Sequence, residues 1–514
     1  MQNQFIKFSI GLLAILVHSG IVYAKPVGGS RPNIIFILAD DMGYGCVSAN
    51  NPQTPIKTPA IDRLAKEGMS FTDAHSDTSV CTPTRYGLLT GRYSWRSGLK
   101  SGVTWAFFPS LIEPERVTVA EMLRDAGYET GMVGKWHLGI DFTNKDGQTI
   151  AEEMNLGQSH FVNCADFSAV NLQYDWNRLD FTQPIKGGPT DHGFDYYFGD
   201  DLPNMPPYVF YRNDRLEGIP SVPKPKEMFG LPGPMVPGWK LSEVTPALVA
   251  DAERYIEEKA RQAKPFFLYF SLNSPHTPIV PSPAFAGKSG INLFADWIME
   301  TDAAVGAVLD SLDEQGIADN TIVIFSTDNG TSYSDPMAKE LRTKLDHQFR
   351  GTKRSLYEGG HRVPYFVRWP GVTPAGSSCD ETIGLNDFMA TIAPIAGVEM
   401  DPSMGPDSHN IGELLLGGKR KASPAVIHHD FNGGYAIRKG DWKLIFILDR
   451  KRKTFRRELY NLDSDIMESN NVIKDSPEIA NELDQLFQRI VKEGRSTPGP
   501  RQSNFEDPAW ILPF

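Results

Sequence analysis

Four short apolar runs in this chain end directly in polar residues, and this pattern limits the fold more than any other feature. The first run, Asn33–Ala39, reads NIIFILA and is followed by Asp40 and Asp41. The other three cover residues 128–133, 266–272 and 321–326. Continuous apolar runs of this length are typical of strands that are buried on both faces.

Helical patterns lie between these runs. The segment 117–126 is amphipathic and stops at Gly127, and the segment 293–312 has apolar residues at helical spacing. Strands that alternate with helices predict an α/β fold with a mostly parallel sheet between helices. Ligands bind such sheets beyond the carboxyl ends of the strands, so we expect one shared site there.

The N-terminus has the pattern of an export signal. Lys7 precedes the apolar run Phe8–Val17, and Val22–Ala24 supplies a small-residue cleavage site. The run is shorter than the roughly 20 residues that span a bilayer, which favours a cleaved signal over 1–24 rather than an uncleaved anchor. We therefore expect a secreted or periplasmic protein that starts near Lys25 and is not inserted in a membrane.

Charge and cysteine content narrow the function further. The net charge is -12, which argues against nucleic acid as a partner, because phosphate binding requires a basic surface. The four cysteines are far apart and follow no metal-binding spacing: Cys46, Cys81, Cys164 and Cys379. Exported proteins usually pair their cysteines, so we expect another role for one of them.

The segment around Cys81 carries the most specific motif. Residues 80–85 read VCTPTR, and residues 88–92 read LLTGR. This resembles the type I sulfatase signature, C-x-P-S/T-R followed by x-x-x-L-T-G-R, and the resemblance runs from Arg31 to about Leu462. It implies an alkaline-phosphatase-like fold and conversion of Cys81 by a maturation enzyme to formylglycine (3-oxoalanine). Three cysteines would remain, enough for at most one disulfide.

The strand-end residues suit a sulfate ester chemically. An anionic ester repels a nucleophile, so a divalent cation and fixed positive charges are needed. The predicted metal ligands are Asp40, Asp41, Asp328, Asn329 and the modified Cys81. Oxygen ligands favour Ca²⁺, with Mg²⁺ as the alternative, over zinc. Taken singly, the same Asp-Asp and Asp-Asn pairs are also typical of turns at strand ends.

The modified residue explains the expected reaction. A formylglycine aldehyde hydrates to a diol, and one hydroxyl attacks sulfur with Asp328 as a candidate proton acceptor. The second hydroxyl then lets the covalent intermediate expel sulfate and restore the aldehyde. Pro83 fits the first turn of a helix, which places Cys81 near a helix N-terminus that favours anions. Arg85, one turn later, is expected to hold the diol.

The resemblance also assigns the remaining catalytic residues. It implies that Lys135 contacts the sulfate and that His137 deprotonates the second hydroxyl. It implies that His276 binds sulfate and helps to protonate the leaving oxygen. Lys353 matches the second sulfate lysine of the family. Taken singly, the two lysines are also typical of solvated surface residues, and the two histidines are also typical of structural core residues.

The substrate contacts are less specific. Arylsulfatases often place a serine near the sulfate after the segment 191–199, and this chain has none in register. The candidates that replace it as sugar contacts are Asp200, Asp201, Asn204, His347 and Arg350. Turn capping is the alternative for the first three. The segment 428–430 (HHD) is interpreted as structural, with a C-terminal substrate contact as the alternative.

Two regions of the chain have distinct sequence patterns. Residues 141–240 are rich in Gly, Pro, Asn and Asp and are expected to form long loops over the site. We predict a catalytic domain over 25–420. A small C-terminal subdomain over 421–514 is predicted to hold an antiparallel sheet, with a hairpin at 434–448, and a helix at 477–493.

Six of the eight residues 450–457 are basic, on an acidic protein. This run is either a site that attracts a polyanionic glycan or a solvated hairpin tip.

The sequence as a whole predicts a secreted sulfatase that hydrolyses O-sulfate esters of carbohydrates. The alternatives are a phosphodiesterase or phosphonate hydrolase of the same superfamily, and an inactive protein that binds sulfated glycans.

Overall fold

The computed structural model describes residues 31–162, 164, 174–346, 348–451 and 454–505. The predicted signal peptide, His347 and two residues of the basic run lie outside the described residues. Within the described ranges, no helix is long and apolar enough to cross a membrane. The helices are α1 Pro59–Glu67, α2 Cys81–Thr90, α3 Val119–Asp125, α4 Ile150–Met154, α5 Val244–Ala260, α6 Leu293–Glu314, α7 Pro336–Leu345, α8 Glu358–His361, α9 Phe388–Ile395, α10 Gly412–Leu415 and α11 Pro477–Glu493.

A mixed sheet of ten strands forms the centre of the fold. The strands of the described chain are β1 Asn33–Ala39, β2 Met69–Phe71, β3 Ala74–His75, β4 Glu129–Gly134, β5 Tyr196–Gly199, β6 Tyr211–Arg212, β7 Arg215–Leu216, β8 Val222–Pro223, β9 Pro234–Met235, β10 Phe266–Ser271, β11 Thr321–Thr327, β12 Tyr365–Arg368, β13 Ser377–Cys379, β14 Ile383–Gly384, β15 Val426–His429, β16 Tyr435–Lys439, β17 Trp442–Asp449 and β18 Thr454–Asn461. The central order is β13-β2-β12-β11-β1-β10-β4-β5-β6-β7. Its middle five strands, β11 to β5, are parallel.

Both faces of this sheet are buried, as the apolar runs predict. Along β1, Ile34 and Phe36 contribute to one hydrophobic core, whereas Ile35 and Ile37 contribute to the other. The first core is completed by α2, α3 and α9, and the second by α1, α5 and α6. Each fully buried Ile or Phe side chain stabilises the fold by about 1.5–3 kcal/mol. The α/β class predicted from the sequence is therefore confirmed.

Local signals fix where helices begin and end near the site. The Thr118 hydroxyl accepts a hydrogen bond from the Glu121 backbone N–H at 3.1 Å, and the Glu121 carboxylate accepts one from the Thr118 N–H at 2.7 Å. This capping box starts α3. Helix α2 ends at Gly91, whose φ of 60° is accessible to glycine at little cost.

The C-terminal part forms a separate antiparallel sheet, β15-β16-β17-β18, with α11 packed on it. Phe446 from the sheet and Phe487 from α11 stack with ring centroids 5.2 Å apart. Tyr93 and Trp95, which follow α2, are buried in the same core. The small sheet and helix predicted from the sequence are present, and this core joins them to the rest of the chain. The exact boundary near residue 420 stays a prediction.

The segment 141–240 is more regular than predicted. Strand β5 extends the central sheet parallel to β4, and the short strands β6 and β7 complete its edge. The interpretation as loops alone is therefore wrong for residues 196–199, 211–212 and 215–216. These strands have two to four residues each, which is too short for a periodic pattern to show in the sequence.

Candidate active site

The predicted site residues follow the carboxyl ends of β11, β1, β10 and β4, which are parallel neighbours. Their shared sheet edge brings together side chains that are distant in sequence. The segments after these strands carry Asp40, Asp41, Lys135, His137, His276, Asp328 and Asn329. Helix α2 adds Cys81 and Arg85, and the loop before α8 adds Lys353.

Four side chains of the predicted ligand set are buried together. The Asn329 amide donates to Asp41 Oδ1 at 2.7 Å, and the Asp41 backbone N–H donates to Asp328 Oδ1 at 3.1 Å. One oxygen of Asp40 and the amide oxygen of Asn329 have no hydrogen-bond partner among the described residues, although both are buried. Buried polar atoms normally have partners, and oxygen donors suit Ca²⁺ or Mg²⁺. This set therefore fits a hard divalent cation.

Three buried cations face these carboxylates. Arg85 forms an ion pair with Asp328 at 2.7 Å, and its guanidinium is 3.6 Å from Asp40. The Lys135 ammonium donates to Asp40, and the Lys353 ammonium lies 2.6 Å from Asp41 Oδ1. The positive charges are held at the sheet edge by the same acids that form the ligand set.

Burial and neighbouring charges move the carboxylate pKa values in opposite directions. Burial acts to raise the pKa of Asp40, but Lys135, His276 and Arg85 together hold it well below its ordinary value. Burial, reinforced by the charge of Asp40, raises the pKa of Asp328 to about 7. Of these two carboxylates, Asp328 thus has the higher proton affinity, as a proton acceptor requires.

Cys81 is the first residue of α2, and its side chain is buried within the cluster. One ligand atom from each of Asp40, Asp41, Cys81 and His276 lies within 4.8 Å of the others. Burial raises the pKa of the Cys81 thiol to about 12, despite the opposing charges of Lys135 and Lys353. The unmodified side chain is therefore a protonated thiol at neutral pH, and a thiol in this form is a weak nucleophile.

The two histidines have defined hydrogen-bond partners. His137 Nε2 lies 3.0 Å from the Thr104 carbonyl, and His276 Nδ1 lies 2.5 Å from the Thr277 carbonyl. Each carbonyl accepts a hydrogen bond from the N–H of its ring, which leaves the other ring nitrogen as an acceptor. Burial, helped by Lys353, lowers the pKa of His276 to about 4. Burial and Lys135 hold the pKa of His137 well below its ordinary value, so both rings are neutral at neutral pH.

Two adjoining cavities open onto the cluster. The proximal cavity, of about 110 Å³, is lined by Cys81, His137, His276 and Lys353 among others. The distal cavity, of about 410 Å³, extends from Asp41, His276 and Lys353 towards α7. His276 and Lys353 line both, so two of the predicted catalytic residues lie where the two cavities meet.

The predicted sugar contacts separate into three kinds. Asn204 lines both cavities. Asp201 lies behind them and accepts a hydrogen bond from the His137 backbone N–H at 2.9 Å, and Asp200 is buried with neither carboxylate oxygen hydrogen-bonded in the described chain. The Arg350 guanidinium lies over the Tyr357 ring at 3.8 Å and donates to a backbone carbonyl of the C-terminal part. Arg350 is thus not brought to the site, because its side chain turns to Tyr357 and the C-terminal part.

The segment 428–430 also lies away from the cavities. His428 stacks on His361, with ring centroids 3.7 Å apart, and His361 Nδ1 lies 3.0 Å from His75 Nδ1. All three rings are fully buried between the two sheets, which favours the structural interpretation.

The cysteines are all free and buried, so the disulfide that the sequence left open is not formed.

Several residues around the site were missed at the level of sequence. Ser271 Oγ accepts a hydrogen bond from Arg85 at 2.5 Å, and the Thr104 carbonyl orients His137. Arg342 and Arg354 line the distal cavity. Thr104 and Arg342 belong to no motif. The other two residues could have been found from the sequence. Ser271 lies at the end of an apolar run, and Arg354 lies next to Lys353.

Comparison with known proteins agrees with this geometry. The family model described as Sulfatase matches residues 32–398, and the model described as N-sulphoglucosamine sulphohydrolase, C-terminal, matches residues 346–495. An N-acetylgalactosamine-6-O-sulfatase of Bacteroides thetaiotaomicron is 32% identical and covers 90% of this chain and 93% of its own length. Human arylsulfatase A is 30% identical, covering 97% of this chain and 94% of its own.

A solved structure from work on the metabolism of multiple glycosaminoglycans by Bacteroides thetaiotaomicron superposes with a TM-score of 0.76. It is 30% identical and covers 90% of this chain and 99% of that chain. The fold and the site define an alkaline-phosphatase-like α/β hydrolase. The chain belongs to the sulfatase family, and it is a sulfuric ester hydrolase.

Proposed function

We propose that this chain is an exported sulfatase that removes O-sulfate from carbohydrate through a formylglycine made from Cys81. The observation that carries the proposal is the position of Cys81 at the start of α2. There it lies 3.5 Å from the Lys353 ammonium and beside the carboxylates of Asp40 and Asp41. Because burial keeps the thiol protonated, conversion to an aldehyde gives this position the nucleophile it otherwise lacks.

A divalent cation, Ca²⁺ in preference to Mg²⁺, would be held by Asp40, Asp41, Asp328, Asn329 and the modified Cys81. Such an ion supplies Lewis acidity, which stabilises a deprotonated hydroxyl and offsets the charge of the ester. Lys135 and Lys353 are each paired with one of these carboxylates. With these carboxylates engaged by such an ion, Lys135 and Lys353 would be free to face the sulfate oxygens.

The hydrated aldehyde supplies one hydroxyl for attack and a second for release. Arg85 fixes the position of Asp328, which is the candidate acceptor of the first proton. His276, neutral before substrate binds, gains a proton when the anionic ester lies beside it and donates that proton to the leaving oxygen. His137, whose Nδ1 is buried and without a hydrogen-bond partner among the described residues, accepts the proton of the second hydroxyl.

Sulfated carbohydrate is the substrate class that the relatives support. One relative is named for a sulfated amino sugar, and a similar solved structure is described in work on glycosaminoglycans. The polar distal cavity extends from the reacting groups and has room for a sugar. Export fits a polymer or its oligosaccharides as the source, and a maturation enzyme is the partner that the modification requires.

The mass of the peptide that contains Cys81, purified from the native host, tests the proposal first. Replacement of the thiol by an aldehyde is the expected result, together with sulfate release that is lost in Cys81→Ser. Sulfate release by a sample with an unmodified thiol throughout would contradict the mechanism. Rates on matched sulfate and phosphate esters test the alternative phosphodiesterase, which requires the phosphate ester to react faster.

A further inference from the structure

The distal cavity holds two positive charges that the reaction itself does not use. Arg342 and Arg354 both line it and are exposed. Asp41, the one carboxylate of its lining, is already paired with Lys353. Among the described residues neither arginine forms an ion pair, although Asp346 interacts electrostatically with Arg342 from a longer distance. Two guanidinium groups without a direct acidic partner beside a cavity favour an anion.

Arg342 projects from α7 over a ring that is itself fixed. Its guanidinium carbon is 5.7 Å from the centroid of the Tyr333 ring. The Tyr333 hydroxyl donates to Asp346 at 2.6 Å, which anchors the ring in the wall of the cavity. A guanidinium stacked on an anchored ring loses less conformational freedom when it binds a ligand, so this position is partly organised in advance.

Arg354 is held more tightly. Its φ of 74° lies in the left-handed region, which is uncommon for a residue other than glycine. Its backbone N–H donates to the Ser79 carbonyl at 2.8 Å, and its guanidinium lies 4.4 Å from the centroid of the Phe431 ring. An unfavourable backbone conformation that neighbouring contacts maintain often marks a functional position. Arg354 also lines the proximal cavity, so it joins the two.

Hydroxyl groups also line the distal cavity. They belong to Thr277, Ser332, Ser334 and Thr352. Hydroxyl groups both donate and accept hydrogen bonds, as the hydroxyls of a sugar do. The cavity therefore offers neutral contacts for a sugar beside the positive charges of Arg342 and Arg354.

We propose that the distal cavity binds a second anionic group of the substrate, on the sugar next to the one that carries the reacting sulfate. Arg342 and Arg354 hold that group, which is a sulfate or a carboxylate. This inference rests on the proposed function and adds a substrate class to it: an oligosaccharide with an anion on two adjacent residues. Arginine is suited to both anions because its planar fork pairs with two oxygens at once.

The test uses three disaccharides that share the same reacting sulfate and differ in the neighbouring sugar, which is neutral, sulfated or carboxylated. For the native enzyme we expect kcat/KM to be about tenfold or more higher on a dianionic substrate than on the neutral one. In Arg342→Gln and Arg354→Gln that preference falls by about tenfold, mainly through KM. The substrate that shows the preference identifies the anion. Arg261→Gln, an exposed arginine of the helix–strand connection at the opposite sheet edge, is the matched control.

Equal loss on all three substrates, or a native enzyme without preference, would overturn the subsite. A second measurement distinguishes failure of the subsite from failure of the proposed mechanism. Binding of the same disaccharides to Cys81→Ser protein, measured by calorimetry, does not depend on turnover. If no variant releases sulfate but Arg342 still controls which disaccharide binds, the mechanism fails and the subsite stands.

Discussion

The Lys353 ammonium nitrogen lies 3.5 Å from the Cys81 sulfur. The same nitrogen is 2.6 Å from Asp41, so one side chain joins the nucleophile position to the ligand set. Burial acts to lower the pKa of Lys353, but Asp41 and the other nearby acids outweigh it and raise the pKa above its ordinary value. Lys353 is therefore charged at neutral pH.

Replacement of Lys353 tests how much this charge contributes. We expect Lys353→Met to lower kcat/KM by about 100-fold or more, since a lost charged contact to the transition state costs about 2.7–4 kcal/mol. Lys353→Arg should recover part of the loss. Lys339→Met, an exposed lysine of α7, is the control and should retain activity. If Lys353→Met lowers only thermal stability and retains kcat/KM, then Lys353 serves only to balance the charge of Asp41.

His137→Ala should separate the two halves of the reaction. If His137 accepts the proton of the second hydroxyl, its loss leaves attack intact and slows sulfate release. We expect a burst of alcohol product followed by a slow steady state, and a sulfated Cys81 peptide in the mass spectrum. Thr104→Ala keeps the backbone carbonyl that orients the ring and loses only the hydroxyl that donates to the His137 carbonyl at 3.1 Å, so any burst should be much smaller. A uniform fall in rate without a burst would assign His137 to the first half instead.

Metal binding should stabilise the folded protein. At a Ca²⁺ concentration 100 times Kd, we expect about 2.7 kcal/mol of added stability, seen as a higher Tm that chelation reverses. Asp40→Asn removes one charge from the ligand set, so its Tm should rise much less with added Ca²⁺. Mg²⁺ should give a smaller shift than Ca²⁺ in the native protein. An equal shift in the native protein and in Asp40→Asn would place the ion elsewhere.

Much of this site was readable from sequence because it lies where strands end. Asn33–Ala39 forms the strand its apolar run predicts, and Asp40 follows it into the cluster. Arg350 shows the limit of that reasoning. It belongs to a motif that also contains Lys353, yet its side chain turns to Tyr357 and the C-terminal part. Side-chain direction in a loop is set by tertiary packing, which spacing along the chain does not encode.

The buried histidines between the two sheets should make stability depend on pH. Burial holds the pKa values of His75, His361 and His428 below the ordinary value of 6.5. Below about pH 6.5 the unfolded chain therefore binds protons that the folded protein does not. The free energy of unfolding should fall as the pH drops below about 6.5 and should level off above it.

The variant His428→Asn measures how much His428 contributes to the pH dependence of stability. The asparagine amide replaces the His428 Nδ1 group that lies 3.2 Å from the Ser76 carbonyl, but it does not titrate. The slope of unfolding free energy against pH between about 5 and 6.5 should decrease by up to about 1.4 kcal/mol per pH unit. Urea unfolding at several pH values gives this slope, and Arg261→Gln should leave it unchanged. An unchanged slope in His428→Asn would mean that His428 is protonated in the folded state.

Charge reversal in the basic run 450–457 tests whether it attracts a polyanionic substrate. Arg457 is paired with Asp484 at 2.8 Å, whereas Arg450 acts electrostatically on Asp430, next to a residue that lines the proximal cavity. We expect Arg450→Glu/Lys451→Glu to lower kcat/KM about tenfold on a sulfated polymer at low salt, and less than twofold on a small sulfate ester. The difference should shrink as salt screens the charges.

The matched control reverses two charges at the opposite edge of the sheet, in Arg261→Glu/Lys264→Glu. Both residues lie in the connection that leads into the amino end of β10, and their side chains are 70% and 68% exposed. Net charge changes by the same amount in the two double variants, so a general repulsion of the polymer would slow both equally. Attraction by the basic run predicts that only the variant at 450 and 451 loses polymer activity. Equal effects on polymer and small ester in that variant would instead favour the solvated hairpin tip.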